Sequence, residues 1–290
     1  YNAMKLSIST YSFYRLIAEG KMTWFDAIDK TKELGCDGVE ICYCDKTPDG
    51  SSDMDYTTRL VNHAREIGLE VPMYTTGANF LQKDIAAEVK RVKGNIDIAA
   101  ANGIKKMRHD IAWGFFPEYE GIQTWQSAVR YVAPAIREVS EYAASKGVTN
   151  CSENHGRLFQ DSDRMLALFD AVNHPNYRWL CDIGNFGGVD EDCATAVSKL
   201  LPFLTHVHAK DSFRRSGMMP NPGRGWNRTR GGNYRRPTIC GHGDVPVQQI
   251  LENIAATGYD GYVSLEFEGI EDVLTAVEIS VENLKRMLGK

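Results

Sequence analysis

Thr149-Asn-Cys-Ser-Glu153, Trp179-Leu-Cys-Asp182, His206-Val-His208 and Val263-Ser-Leu-Glu266 decide how this chain is read. Each is a short, largely apolar run that ends on a side chain able to bind a metal ion. The end residues stand at 153, 182, 208 and 266, so they are 29, 26 and 58 positions apart. That spacing fits one donor per strand–helix unit in a repeating α/β chain with one enlarged unit. Three carboxylates and an imidazole facing one point repel strongly without a cation. With one, they form a mixed O/N site for a single Mn, Mg, Co, Fe or Zn ion. Side chains alternate along a strand, so His206 shares a face with His208, and Glu268 shares one with Glu266. Spacing alone leaves open which member of each pair binds.

The same rhythm extends in both directions. Strands are predicted over 5–11, 38–43, 69–74, 105–109, 148–153, 177–182, 204–208 and 261–266. Helices are predicted from the Thr23 cap to Leu34, then over 55–67, 84–101, 124–146, 162–172, 192–201, 247–256 and 272–288. Glycines follow many of them, among them Gly35, Gly68, Gly103 and Gly147. Pro134 falls inside the 124–146 helix and predicts a kink or break. Strands alternating with helices imply parallel pairing, and eight units in this length imply a single-domain (β/α)8 TIM barrel over residues 4–290. An open doubly wound sheet is disfavoured: no glycine-rich dinucleotide fingerprint follows Tyr11. In a barrel, chemistry sits at the C-terminal ends of the strands, where all four donors lie.

Composition sets the frame. The 290 residues are 43% hydrophobic, enough for a large core, and 33 basic against 38 acidic residues give a net charge of −5. That balance argues against nucleic acid as the main partner. The seven cysteines make an odd count with no C-x-x-C pair, which predicts reduced thiols in a cytoplasmic protein. No signal peptide and no apolar run near a membrane span is expected. Tyr1-Asn2-Ala3 ahead of Met4 reads as a leading remnant outside the fold.

At its donor segments the chain resembles the xylose isomerase-like TIM-barrel superfamily, in the sugar phosphate isomerase/epimerase branch. The motifs that carry this are Glu-Asn-His-Gly at 153–156, Cys-Asp-Ile-Gly-Asn at 181–185, His-Val-His-Ala-Lys-Asp at 206–211, Gly-His-Gly-Asp-Val at 241–245 and Gly-Tyr-Asp-Gly-Tyr-Val-Ser-Leu-Glu at 258–266. The opening Ser-Ile-Ser-Thr-Tyr and Leu-Gly-Cys-Asp-Gly-Val-Glu40 are also similar to that branch. The resemblance implies Glu153, Asp182, His208 and Glu266 as ligands of one divalent metal, with Glu153 and Glu266 also moving protons. It departs from the related zinc-cluster endonucleases, where a histidine stands near the place of Asn185. A three-metal site and DNA repair are therefore not expected.

The chemistry of the residues agrees. Isomerising or epimerising a sugar removes a weakly acidic proton beside a carbonyl. A cation stabilises the enediolate, and carboxylates on opposite faces remove and return the proton. Lys210 is a candidate for assisting a developing oxyanion. His155, Asn185, His242, Glu40 and His109 are candidates for lining the mouth and binding a sugar. The segment 212–240 holds seven arginines among glycines and prolines, with Trp226 and Tyr234. Its length predicts a loop acting as a lid, with Arg228 and Arg230 gripping an anionic substrate, or a reach to a partner subunit. The expected function is a metal-dependent isomerase or epimerase of a sugar, sugar phosphate or sugar acid. The alternative is a metal-dependent lyase that dehydrates a cyclitol or dehydroshikimate-like ring. The expected partner is a small carbohydrate, with a homodimer or higher homo-oligomer as the assembly.

Overall fold

A computed structural model describes residues 3–44 and 46–290. Tyr1 and Asn2, read from the sequence as part of a leading remnant, lie outside the described residues together with Asp45. The strands follow in order as β1 (Lys5–Ser9), β2 (Gly38–Glu40), β3 (Tyr74–Thr75), β4 (Lys106–Arg108), β5 (Thr149–Glu153), β6 (Tyr177–Asp182) and β7 (Leu204–Ala209). A separate hairpin contributes β8 (Asp211–Arg215), β9 (Asn227–Arg228) and β10 (Tyr234–Thr238), and β11 (Tyr262–Leu265) returns to the main sheet. That main sheet has eight parallel strands in the order β2-β1-β11-β7-β6-β5-β4-β3. Its two ends meet: Val39 N–H donates to Glu70 O at 2.9 Å and Thr75 N–H to Ile41 O at 2.9 Å. The sheet closes, and the fold is a (β/α)8 barrel.

The helices are the short α1 (Tyr14–Ala18), then α2 (Trp24–Glu33), α3 (Asp53–Glu66), α4 (Ile85–Ala101), α5 (Trp125–Ser145), α6 (Ser162–Val172), α7 (Cys193–Leu200), α8 (Val247–Ala255) and α9 (Val273–Met287). Except in α1 and α8, their starts are set by side chains that accept from the first free N–H groups. Thr23 and Asp26 form a reciprocal capping box on α2, and Thr124 and Ser127 do so on α5. Gly35 and Gly147 turn the chain out of α2 and α5 with φ of 78° and 70°, a region open to glycine at little cost. The main core lies between the strands and these helices.

Inside the barrel, alternation sorts the side chains into layers. Met73, Cys151 and Leu180 form a small buried apolar cluster of their own. Glu153 and Asp182 are two residues beyond Cys151 and Leu180, so they point the same way one layer nearer the mouth. His208 and Glu266 stand likewise above His206 and Ser264.

Three expectations change. The third strand was expected over 69–74 but pairs regularly only at Tyr74–Thr75, with an isolated bridge at Glu70. Pro72 lies between and has no N–H to give to the ladder. Pro134 does not break α5, which runs unbroken over 21 residues. Pro134 itself is exposed, so the carbonyl it leaves without a partner is on the wet side, while Val132, Ala133, Ile136 and Val139 hold the other side in the core. The predicted loop 212–240 contains a small antiparallel sheet, with Tyr234–Thr238 pairing against Asp211–Arg215 and Asn227–Arg228, and the remaining residues in turns and loops. Its arginines and glycines concealed the strand pattern.

Candidate metal centre

Glu153 ends β5 and Asp182 ends β6, His208 is the next-to-last residue of β7, and Glu266 follows β11 directly. One ligand atom from each lies within 4.8 Å of the others. Glu153, Asp182 and His208 are buried, and Glu266 keeps a slight opening to the mouth. At that separation, with an effective dielectric near 20, each pair of like unit charges costs roughly 3–4 kcal/mol. The protein opposes this repulsion with buried cations.

Arg108 Nη2 lies 3.3 Å from Glu153 Oε2. Lys210, almost wholly buried, reaches Asp182 Oδ2 at 3.2 Å, Glu266 Oε1 at 3.4 Å and Glu268 Oε1 at 3.4 Å. Burial opposes charge on Lys210, but Asp182, Glu266, Glu268 and Glu153 outweigh it and hold its pKa well above the lysine range. Burial raises Asp182 to about 6 despite Lys210. Glu153 and Glu266 are pushed the other way: burial raises both, and the neighbouring cations His208 with Arg108, or Lys210 with His208, win.

The donor atoms fit a hard cation. Glu153 Oε2, Asp182 Oδ2 and Glu266 Oε2 are buried oxygens that have a cation nearby, Arg108, Lys210 and His208 respectively, but no hydrogen bond. Buried polar atoms are almost always satisfied, so three orphans converging from three strands mark a place for a further partner. Asp182 spends its other oxygen on the Gly184 and Asn185 N–H groups, both at 2.9 Å, which fixes its rotamer. His208 is fixed from behind. Its Nε2 meets Glu40 at 2.8 and 3.0 Å, leaving Nδ1 towards Glu266 at 2.6 Å and Glu153 at 3.4 Å. An imidazole held through one nitrogen by a carboxylate presents the other nitrogen to a metal.

Glu40 thus sits beneath the cluster. It is fully buried, shared between His206 and His208, and hydrogen-bonded by Thr75 at 2.5 Å. His206 lies in the layer below, as alternation required, with Ser264 Oγ at 3.2 Å. His109 is also placed away from the mouth. It stacks on Tyr177 with ring centroids 5.8 Å apart and contacts Asn150, and burial lowers its pKa to about 4. His155 stays at the mouth, paired with Asp110 at 3.0 Å and edge-on to Trp113. Asn185 bridges the site, with Nδ2 3.4 Å from Glu153 and Oδ1 accepting from Lys210 at 3.2 Å. His242 is exposed on a loop pinned by Asp211, whose carboxylate accepts from the Gly241, Gly243 and Val245 N–H groups at 2.9, 2.9 and 3.2 Å. A Cβ at Gly243 would collide with Asp211 and Ser212, so the Gly-His-Gly-Asp-Val motif has a packing reason. Arg230 is committed to Asp161 at 2.6 Å, while Arg228 lies exposed over the Tyr234 ring.

Sequence reasoning missed Arg108, Asp110 and Trp113, and named Glu268 only as the alternative to Glu266. Arg108 is one residue from His109, and in a three-residue strand parity was too short to read. A cavity of about 240 Å³ opens above the cluster, lined by Tyr11, Thr75, Arg108, Trp113, His155, His208, Glu266 and Glu268 among others.

Residues 28–287 match the family model described as the xylose isomerase-like TIM barrel. The chain belongs to this family. A curated relative, the uncharacterized protein YihM of Escherichia coli strain K12, is 23% identical over 261 residues, covering 89% of this chain and 71% of YihM. Among solved structures of the xylose isomerase-like fold, the probable 3-DHS dehydratase AsbF of Bacillus anthracis superposes with a TM-score of 0.73 at 20% identity, covering 97% of this chain and 99% of AsbF. A Mycobacterium smegmatis xylose isomerase-like TIM-barrel protein in complex with magnesium gives 0.72 at 18%, covering 100% and 97%. L-ribulose 3-epimerase gives 0.71 at 16%, covering 99% and 95%. These likenesses establish the fold. Among the described residues, no helix is long and apolar enough to cross a membrane.

Proposed function

We propose that this xylose isomerase-like barrel is a divalent-metal-dependent isomerase or epimerase of a sugar or sugar derivative, working by proton transfer beside a carbonyl. The observation that carries the reading is the convergence of Glu153, Asp182, His208 and Glu266 with three unsatisfied buried oxygens. Support comes from the magnesium bound by one structural neighbour and the epimerase activity named for another. A cation held by these four side chains supplies Lewis-acid stabilisation of negative charge on a substrate oxygen.

The remaining work falls to the chain. Glu153 and Glu266 come from strands separated in the sheet by β6 and β7, so they approach the site from different sides. One takes the proton from the carbon beside the carbonyl, and the C–H electron pair moves into an enediolate. Delivery of that proton to the neighbouring, former carbonyl carbon gives isomerisation, and return of a proton to the same carbon by the other carboxylate from the opposite face gives inversion. Lys210 stays protonated and places positive charge between Asp182, Glu266 and Glu268. His208 and Arg108 hold Glu153 ionised against its burial, and Glu40 holds His208 in one orientation.

The test is solvent exchange. Metal-loaded protein in D2O, offered a panel of ketoses, aldoses and their derivatives, should introduce deuterium beside the carbonyl of the substrate. Release of water with growth of enone absorbance would instead establish the dehydratase reading. Absence of both across the panel would overturn proton-transfer chemistry. Glu40 supplies a second check, because it touches His208 and not the substrate cavity. Glu40→Gln should weaken metal affinity about 10–100-fold, measured by chelator competition, with the fold intact by circular dichroism.

A further inference from the structure

Beside the metal pocket lies a second cavity of about 220 Å³. Its lining includes Arg157, Arg228 and Arg235, together with Gln160, Asn185 and Thr229, and contains no carboxylate. Trp113 and His155 line both cavities, so the two are neighbours across one wall. Asn185 reaches from this cavity to Glu153 and Lys210 of the metal cluster. The molecule therefore sets a purely basic pocket next to a strongly acidic one.

The three guanidinium groups differ from the other arginines of the hairpin. Arg230 pairs with Asp161 at 2.6 Å, and Arg236 pairs with Glu271 at 3.5 Å. Arg157, Arg228 and Arg235 bond to neutral oxygens instead. Arg157 Nη2 donates to Arg228 O at 3.1 Å, and Arg228 Nη2 to Gly232 O at 3.4 Å. Arg235 donates to Ser212 Oγ at 3.0 Å and Gly184 O at 3.3 Å. The backbone around them is strapped down. Arg157 sits in the left-handed region at φ 68°, with its N–H given to Gln160. The hairpin is tied to the barrel by Gly231 N–H and Asn233 Nδ2, which both donate to Asp190. Three arginines lining one cavity, none paired with a carboxylate among the described residues, suit the oxygens of an anion, which guanidinium groups bind by charge-assisted hydrogen bonds.

We infer that this cavity is an oxyanion subsite, and that the substrate of the metal centre carries a phosphate or carboxylate group bound by Arg157, Arg228 and Arg235. The inference rests on the proposed sugar-directed function for the identity of the substrate, and on the cavity alone for anion binding. Arg228 is retained from the sequence reading, whereas Arg230 is replaced by two arginines that reach the pocket. The anion fixes one end of the sugar while the carbonyl end faces Glu153 and Glu266.

Two measurements test it. Calorimetric titration of the metal-loaded protein with inorganic phosphate, and separately with a hexuronate, should show saturable binding of at least one. The tighter ligand distinguishes phosphate from carboxylate. Arg157→Gln and Arg228→Gln should each weaken that binding about tenfold or more, with metal content and melting temperature unchanged. The contacts of the exposed Arg228 are few, so this variant keeps the test valid if Arg157→Gln fails to fold. In deuterium exchange, the same variants should raise KM for the charged sugar and leave a neutral sugar unaffected. Absence of anion binding to the wild type, or equal binding by the variants, would overturn the inference. If anions bind but no sugar exchanges, the subsite stands and the proposed function falls. If neutral and charged sugars exchange equally and the variants change neither, the function stands and the subsite falls.

Discussion

Glu266→Gln and Glu153→Gln should each reduce turnover by at least about a hundredfold, the scale expected when a positioned general acid or base is removed. The amide keeps the shape and one oxygen of the carboxylate, so the fold should persist. Both side chains contact His208 Nδ1, and Glu266 also contacts Lys210. Part of the loss should therefore come through weaker metal binding. Measuring turnover at saturating metal separates the two effects. A hundredfold loss that persists at full loading assigns proton transfer to the residue. Recovery of wild-type turnover on adding metal would reduce its role to that of a ligand.

Asp182→Ala should abolish metal retention. Asp182 is fully buried, and no other carboxylate is placed to substitute for it at the end of β6. The substitution also leaves Lys210 with one fewer counter-charge, although Glu266 and Glu268 remain at 3.4 Å. The variant also loses the stabilisation that a bound cation gives the folded state, so it should melt lower than the metal-loaded wild type. Elemental analysis of chelator-free protein reads the first effect and thermal unfolding reads the second. Full metal retention in this variant would remove Asp182 from the ligand set.

The barrel was legible because its signals are local and repeated. Glycines after helices, caps before them and short apolar runs between them recur through the chain, and each unit repeats the message of the last. The clustering of the four candidate ligands was legible for the same reason: each stands at or beside the end of a strand whose alternation fixes the face it shares. The layer arrangement of His206 below His208 followed from that alternation alone. What stayed hidden depends on long-range partners. Glu40 was expected at the mouth, but β2 lies beside β1 and brings its carboxylate under two imidazoles 166 and 168 residues away. His109 was chosen over Arg108 because β4 has only three regular strand residues, too few to reveal which face is inside. Arg230 and Arg235 look alike in sequence. Only the antiparallel register of β10 on β8, and Asp161 at the start of α6, show which one is neutralised. His242 was a candidate for binding a sugar, and the structure accounts for the motif around it through the N–H groups gathered by Asp211.

The central claim is that one divalent cation occupies the point where Glu153, Asp182, His208 and Glu266 converge. The most direct measurement is an anomalous-scattering map from crystals of protein loaded with manganese or cobalt, collected at the metal's absorption edge. The account predicts one strong peak per chain, about 2.0–2.2 Å from an oxygen of each carboxylate and from His208 Nδ1. A peak bound elsewhere, or no peak at this point in fully loaded crystals, would contradict it.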